Sequence, residues 1–153
     1  MAGAMIAFVS AGGGFLLAVL WFDLMFDVQV LGRRERELPE ELLASIAAYY
    51  GRVTTAARPM NRLIATVMVA TIAAIVAEIA RADVPAAVAW TSLALAVAPI
   101  ALAGARTVPG AVRLGARRDT PARQSVLARA ICREHVLCLA SIAALLALQL
   151  SCA

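Results

Sequence analysis

Residues 12–37 read GGGFLLAVLWFDLMFDVQVLGRRERE, and this stretch decides the fold. It begins inside an apolar run over about 4–31 and ends in a cluster of arginines. A run of that length, wound as a helix, crosses the roughly 30 Å hydrocarbon core of a bilayer. Ala11, Gly12, Gly13, Gly14 and Ala18 let a neighbouring helix backbone approach closely. Asp23 and Asp27 interrupt the run four residues apart, which puts both carboxylates on one helix face.

Three further stretches repeat the pattern, over about 60–80, 86–105 and 131–152. The 153-residue chain is 63% apolar, well above the roughly 45–50% of soluble domains. Its mean hydropathy of +0.85 excludes an ordinary soluble domain, because a chain this short could not cover so much apolar surface. The expected fold is all-α: a four-transmembrane-helix antiparallel bundle forming a single integral membrane domain over 1–153, with the lipid bilayer as its solvent.

Charge supplies the orientation. All 14 basic residues are Arg, and 13 of them fall in the two segments joining the first span to the second and the third to the fourth. The first segment holds Arg33, Arg34, Arg36, Arg52, Arg58 and Arg62. The second holds Arg106, Arg113, Arg117, Arg118, Arg123, Arg129 and Arg133, and only Arg81 lies on the other side. The positive-inside rule then predicts a multi-pass protein of the bacterial inner (plasma) membrane with both termini outside the cytoplasm. No basic residue precedes the first apolar run, so a signal-peptide n-region is missing and the first span is expected to be retained. Nucleic acid is excluded as a partner, since no aromatic residues interleave with these arginines and insertion already explains their placement.

The connections carry their own signals. Leu38-Pro39-Glu40-Glu41 opens a helix, and Leu42, Ile46, Tyr49, Tyr50, Val53 and Ala57 give it an amphipathic stripe on the cytoplasmic face. Pro59 predicts a break after Arg58, and Pro99 a kink near Leu95. Arg81-Ala82-Asp83-Val84-Pro85 is a short turn with Asp83 as the expected N-cap, so spans two and three are neighbours. Arg106-Thr107-Val108-Pro109-Gly110 is expected to end span three, and Thr120-Pro121 to cap the helix leading into span four.

Asp23 and Asp27 are the sharpest chemical feature, since an Asp near a helix centre costs roughly 2.5–3.5 kcal/mol on insertion. Such residues mark ion paths, proton relays or binding sites. The alternative is an ion-pair lock with Arg58, Arg62, Arg106 or Arg133. His135, the lone histidine, enters the same layer and has the chemistry of a general base. The candidate catalytic residues are therefore His135, Asp23 and Asp27; the candidate binding residues are Asn61, Arg58, Arg62, Arg106 and Arg133. Asn61 also reads as a helix cap after Pro59. Tyr49, Tyr50, Trp21 and Trp90 read as interfacial or packing residues, and Glu78 as a partner of Arg81. No metal is expected, because helical spacing spreads Cys132, His135 and Cys138 over about 120°. No cofactor-binding motif occurs in the sequence.

The layout resembles the anthrone-oxygenase-like proteins, a family of small four-span bacterial membrane proteins. The residues that carry the resemblance are the Gly-rich, aromatic first span (Gly12 to Phe26), Arg58-Pro59-Met60-Asn61 opening span two, and Trp90 opening span three. Val108-Pro109 and Arg133-Glu134-His135 complete it. Cys132 and Cys138 stand where that family's pattern has aromatic and basic residues. The resemblance implies a compact four-helix bundle and cofactor-free oxidation of an activated aromatic, with His135 as base and Asp23 or Asp27 orienting it. Two other functions remain open: a small proton-coupled transporter acting as a homo-oligomer, and a non-catalytic assembly or scaffold subunit of a larger membrane complex.

Overall fold

The computed structural model describes residues 2–152; Met1 and Ala153, the ends of the expected domain, lie outside the described residues. Among the described residues the six α-helices are α1 (Ala2–Asp27), α2 (Glu40–Gly51), α3 (Arg58–Arg81), α4 (Ala86–Leu102), α5 (Val108–Ala116) and α6 (Pro121–Leu150). No strand occurs among the described residues. Four helical stretches are long and apolar enough to cross a membrane: Gly3–Val30, Arg58–Arg81, Ala86–Ala116 and Pro121–Leu150. Only 22–39% of the 18-residue apolar window in each is buried inside the protein, so many of its apolar side chains face outward. Phe8, Phe22, Val69 and Leu137 are all more than half exposed. Water would charge that surface at about 25 cal/mol per Å²; lipid does not. The chain is a multi-pass membrane protein by length and composition of its helices.

Two cores are stacked along the bundle. The first lies among α1, α3, α4 and α6, with Val9, Leu16, Ile75, Ala96, Ile142 and Leu145 at its centre. Beyond one end of it, Ile6 packs with Val84 and Ala89, which puts the start of α1 beside the α3–α4 turn. Toward the other end α2, α5 and the first half of α6 build a second core around Leu43, Ile46, Tyr50, Leu114 and Ile131. The candidate site sits between these two cores.

Glycine makes two of the crossings. A Cβ on Gly115 would stand 2.6 Å from Gly51 N, so α2 and α5 meet backbone to backbone only because Gly115 lacks a side chain. A Cβ on Gly12 would collide with Thr71 Oγ1, so at the α1–α3 crossing a larger residue would have to displace that buried side chain. Gly14 meets nothing within 4 Å.

The prolines act differently from expectation at two places. Val108-Pro109 does not end span three: a wide five-residue π turn (Ala103–Thr107) joins α4 to α5, and the apolar stretch continues to Ala116. Such a turn takes up an extra residue, and Pro109 then enters at the start of α5, where a missing N–H costs least. The break expected after Arg58 falls at Ala57 (φ −84°, ψ 51°), after a second π turn (Arg52–Ala56), and Pro59 sits in the first turn of α3. Pro99 removes the donor that Leu95 O would otherwise receive, and Ser141 Oγ of α6 donates to that carbonyl at 3.0 Å.

Caps decide the turns. Thr120 Oγ1 accepts from Arg123 N at 3.4 Å, as the Thr-Pro pair predicts. Asp83 does not cap α4; Pro85 holds that position without a side-chain bond, and Asp83 N donates back to Glu78 O at 3.1 Å. Ala82 in the left-handed conformation (φ 52°) closes α3 there, which turns Asp83 back toward the helix it follows.

Candidate functional site

Asp27, the last residue of α1, has no exposed surface. Its Oδ1 accepts from the Tyr50 hydroxyl at 2.7 Å, and its Oδ2 lies 2.6 Å from His135 Nδ1. A carboxylate can only accept, so the hydrogen belongs on Nδ1, and Nε2 of the neutral imidazole is left as a free base. One turn earlier on α1, Asp23 Oδ1 accepts from the Tyr49 hydroxyl at 2.7 Å. Asp23 Oδ2 stands 3.9 Å from His135 Nε2, beyond hydrogen-bond reach. The base is therefore fixed on one side and unengaged on the other.

The sequence brings these groups together through three separate devices. The spacing of Asp23 and Asp27 points both carboxylates at α2. Tyr49 and Tyr50 lie at the end of α2, and Phe26 stacks on Tyr49 with ring centroids 4.0 Å apart. Thr54 Oγ1 donates to Tyr50 O at 2.6 Å and Asn61 Nδ2 to Thr54 O at 3.2 Å, which ties the π turn after α2 to the start of α3. His135 arrives from α6, which the packing of α1 against α6 brings into register with Asp27.

A cavity of about 510 Å³ opens against this wall. Asp23, Tyr49, Tyr50, Asn61 and His135 line one side, and Leu16, Leu20, Ile64, Met68, Ile100 and Ile142 supply much of the rest. Apolar walls with a few convergent polar groups are the usual build of a small-molecule site. The two phenols stay neutral there. Burial first, then the hydrogen bond and charge of Asp23, hold Tyr49 far above the ordinary phenol range. Burial and then the Asp27 charge and hydrogen bond do the same to Tyr50.

No family model, curated protein or solved structure matches this chain.

His135, Asp23 and Asp27 are brought together, and Asn61 reaches the cavity as well as the π turn. The arginines are not. Arg58, Arg62 and Arg133 are exposed and lie outside the cavity lining. Arg106 Nε pairs with Glu134 Oε1 at 3.2 Å, while Thr107 Oγ1 donates to Glu134 Oε2 at 2.8 Å. The ion-pair lock between arginines and the Asp pair is thus corrected: the carboxylates are held by two phenols and an imidazole. Long guanidinium side chains run outward to water, whereas tyrosines can enter an apolar layer and spend only a hydroxyl on it.

Tyr49 and Tyr50, expected as interfacial or packing residues, belong instead to the candidate site. Adjacent positions on a helix diverge by about 100°, which argues against a shared target. Two acceptors one turn apart on α1 remove the objection, and an Asp pair facing a Tyr pair was the available signal. Glu134 is a second omission; buried beside His135, it holds Arg106 and Thr107 rather than the cavity. Glu78 is a third. It does not pair with Arg81 but is fully buried against Gln149. All three cysteines are free, and no cluster of three His, Cys, Asp or Glu side chains among the described residues is arranged to hold a metal ion.

Proposed function

We propose that this protein is a bacterial inner-membrane protein whose four spans form an antiparallel bundle with both termini outside the cytoplasm. On this reading α2 is an amphipathic helix on the cytoplasmic face, and the cavity is a small-molecule site on that side which carries general acid–base chemistry. The arginine distribution supports the orientation. The single observation that carries the function is the cavity of about 510 Å³ against a hydrogen-bonded Asp–His pair. A scaffold subunit needs neither the space nor the unengaged Nε2.

The chemistry follows from the atoms. An apolar molecule bearing one acidic hydroxyl, such as a phenol, enters with its ring among Leu16, Ile64 and Met68. Its hydroxyl faces His135 Nε2 and Asp23. Nε2 takes the proton; Asp27, bonded to Nδ1–H, stabilises the imidazolium that results. The product is a phenolate shielded from water. Phenolate formation is the first step of cofactor-free oxidation of an activated aromatic by dioxygen, and that reaction is the one we assign to the site.

The test is dioxygen consumption by the purified protein in lipid with a panel of hydroxy-aromatics of graded acidity. Turnover should be lost in His135→Gln, with the variant still eluting as the wild type does. Unchanged turnover in that variant removes the base, and with it the reaction. Proton-coupled transport of the same class of molecule is the second reading, favoured by the buried carboxyl of Glu78 at the other end of the bundle. Vesicle uptake driven by a pH gradient, with no dioxygen consumed, would select it.

A further inference from the structure

Glu78 of α3, Ser92 of α4 and Gln149 of α6 meet with no exposed surface, about 21 Å from His135 along α6 by the rise of an ideal helix. Gln149 Nε2 donates to Glu78 Oε2 at 3.1 Å and to Ser92 Oγ at 3.0 Å, which uses both of its hydrogens. Glu78 Oε1 and Gln149 Oε1 have no partner, although both side chains are fully buried. Among the described residues, the surrounding helices offer no side-chain countercharge. α1 has no charged residue before Asp23, α4 has none at all, and α6 has none after His135. Arg81 on the same helix is exposed, and the following turn contributes another carboxylate, Asp83, whose Oδ2 is also unpartnered.

Among the described residues, acceptors therefore outnumber donors around an acid that forms no ion pair. An ionised carboxylate held by one neutral amide in an apolar bundle loses far more solvation than that bond returns. One added hydrogen cancels the charge and supplies the missing donor. We propose that Glu78, cradled by Gln149 and Ser92, is a second proton-binding site within the bundle, exchanging with the adjacent face through Asp83. The O–H bond forms on the Glu78 carboxyl, its proton delivered from water at that face by Asp83, and no electrons change hands. Ionisable groups at membrane depth are otherwise hard to account for. Thr71, two turns back on the same face of α3, carries a further buried hydroxyl without a partner, and it lies between Glu78 and the cavity-lining Met68. The site rests on neither reading of the cavity and stands if that end of the bundle is inert.

The test uses the full chain in detergent micelles or liposomes and a hydrophobic carbodiimide, which reacts with protonated carboxyls in apolar surroundings. Peptide mapping should find the adduct on Glu78, forming about tenfold more slowly for each pH unit above the midpoint, as one-proton binding requires. Labelling should be unaffected when sodium replaces choline at constant ionic strength. Glu78→Gln, a neutral isostere, should fold with an unfolding midpoint close to the wild type and carry no adduct there. His135→Gln should label at Glu78 as the wild type does, which separates this site from the cavity. Absence of an adduct at neutral pH, a rate that ignores pH, protection by sodium, or a Glu78→Gln protein that does not fold each overturns the assignment.

Discussion

Asp27 and Glu78 are both fully buried acids, yet their surroundings have little in common. Asp27 is served by a phenol and an imidazole at 2.7 and 2.6 Å, beside a cavity. Glu78 has a single amide donor at 3.1 Å and leaves one oxygen unpartnered. The difference lies in what packs next to each. Asp27 sits where α2 leans on the end of α1, and that short helix contributes two hydroxyls. Glu78 sits among spans that, in the described residues, bring it neutral polar side chains and no ion-pair partner. An acid with strong donors can remain a charge that orients a base, while one without them must acquire a proton or a cation.

The largest effects should come from the well-served acid. Asp27→Ala removes one partner of a buried pair and strands the other, so stability should fall by about 3–5 kcal/mol. Denaturant unfolding of the purified protein measures it; a loss below 1 kcal/mol, which is about the worth of an exposed pair, would erase the contrast with Glu78. Asp23→Asn is the milder companion. Asp23 is 17% exposed and its Oδ2 only approaches His135, so activity should drop more than stability does. Comparing turnover with the unfolding midpoint of one preparation reads both.

Next in size is the crossing that delivers α2 to the site. Gly115→Ala inserts a methyl group where Gly51 N stands 2.6 Å away, and overpacking of this kind costs about 1–3 kcal/mol. Because α2 carries both tyrosines, this variant should also loosen Asp23 and Asp27 while leaving Glu78 labelling untouched. Equal disturbance at the two ends would mean that the cores do not act separately.

The phenols give the smaller terms. Tyr50→Phe leaves a buried Asp27 oxygen without its donor, for about 1–3 kcal/mol; Tyr49→Phe, beside the partly exposed Asp23, should cost less. Both phenols are held above their ordinary value of 10.0 in the folded protein. The unfolded chain therefore releases those protons first as pH rises, and the folded state binds more of them. Their contribution is complete below about pH 10 and declines above it. Unfolding midpoints measured across that window should fall in the wild type and fall less in the Tyr49→Phe, Tyr50→Phe double variant. An unchanged slope in the double variant would assign the alkaline loss to other groups. Glu78→Gln, with the least expected change of all, closes the series.

The sequence by itself determined the all-helical architecture, the four apolar stretches and the fact that Asp23 and Asp27 share a face. Those are properties of one helix at a time: length, hydropathy and a 3.6-residue period need no neighbour to be read. Pro99 announced its own perturbation for the same reason. Which donors meet which acids was decided only by tertiary packing. Gly115 let α2 lie close against α5, and that brought Tyr49 and Tyr50 to the Asp pair while the arginines turned outward to water. Two π turns carried the chain past Val108-Pro109 and up to Ala57, each absorbing a residue that a regular helix has no room for. Glu78 found Gln149 rather than Arg81, since a side chain facing the bundle interior meets another helix before it can reach the exposed guanidinium three residues along its own.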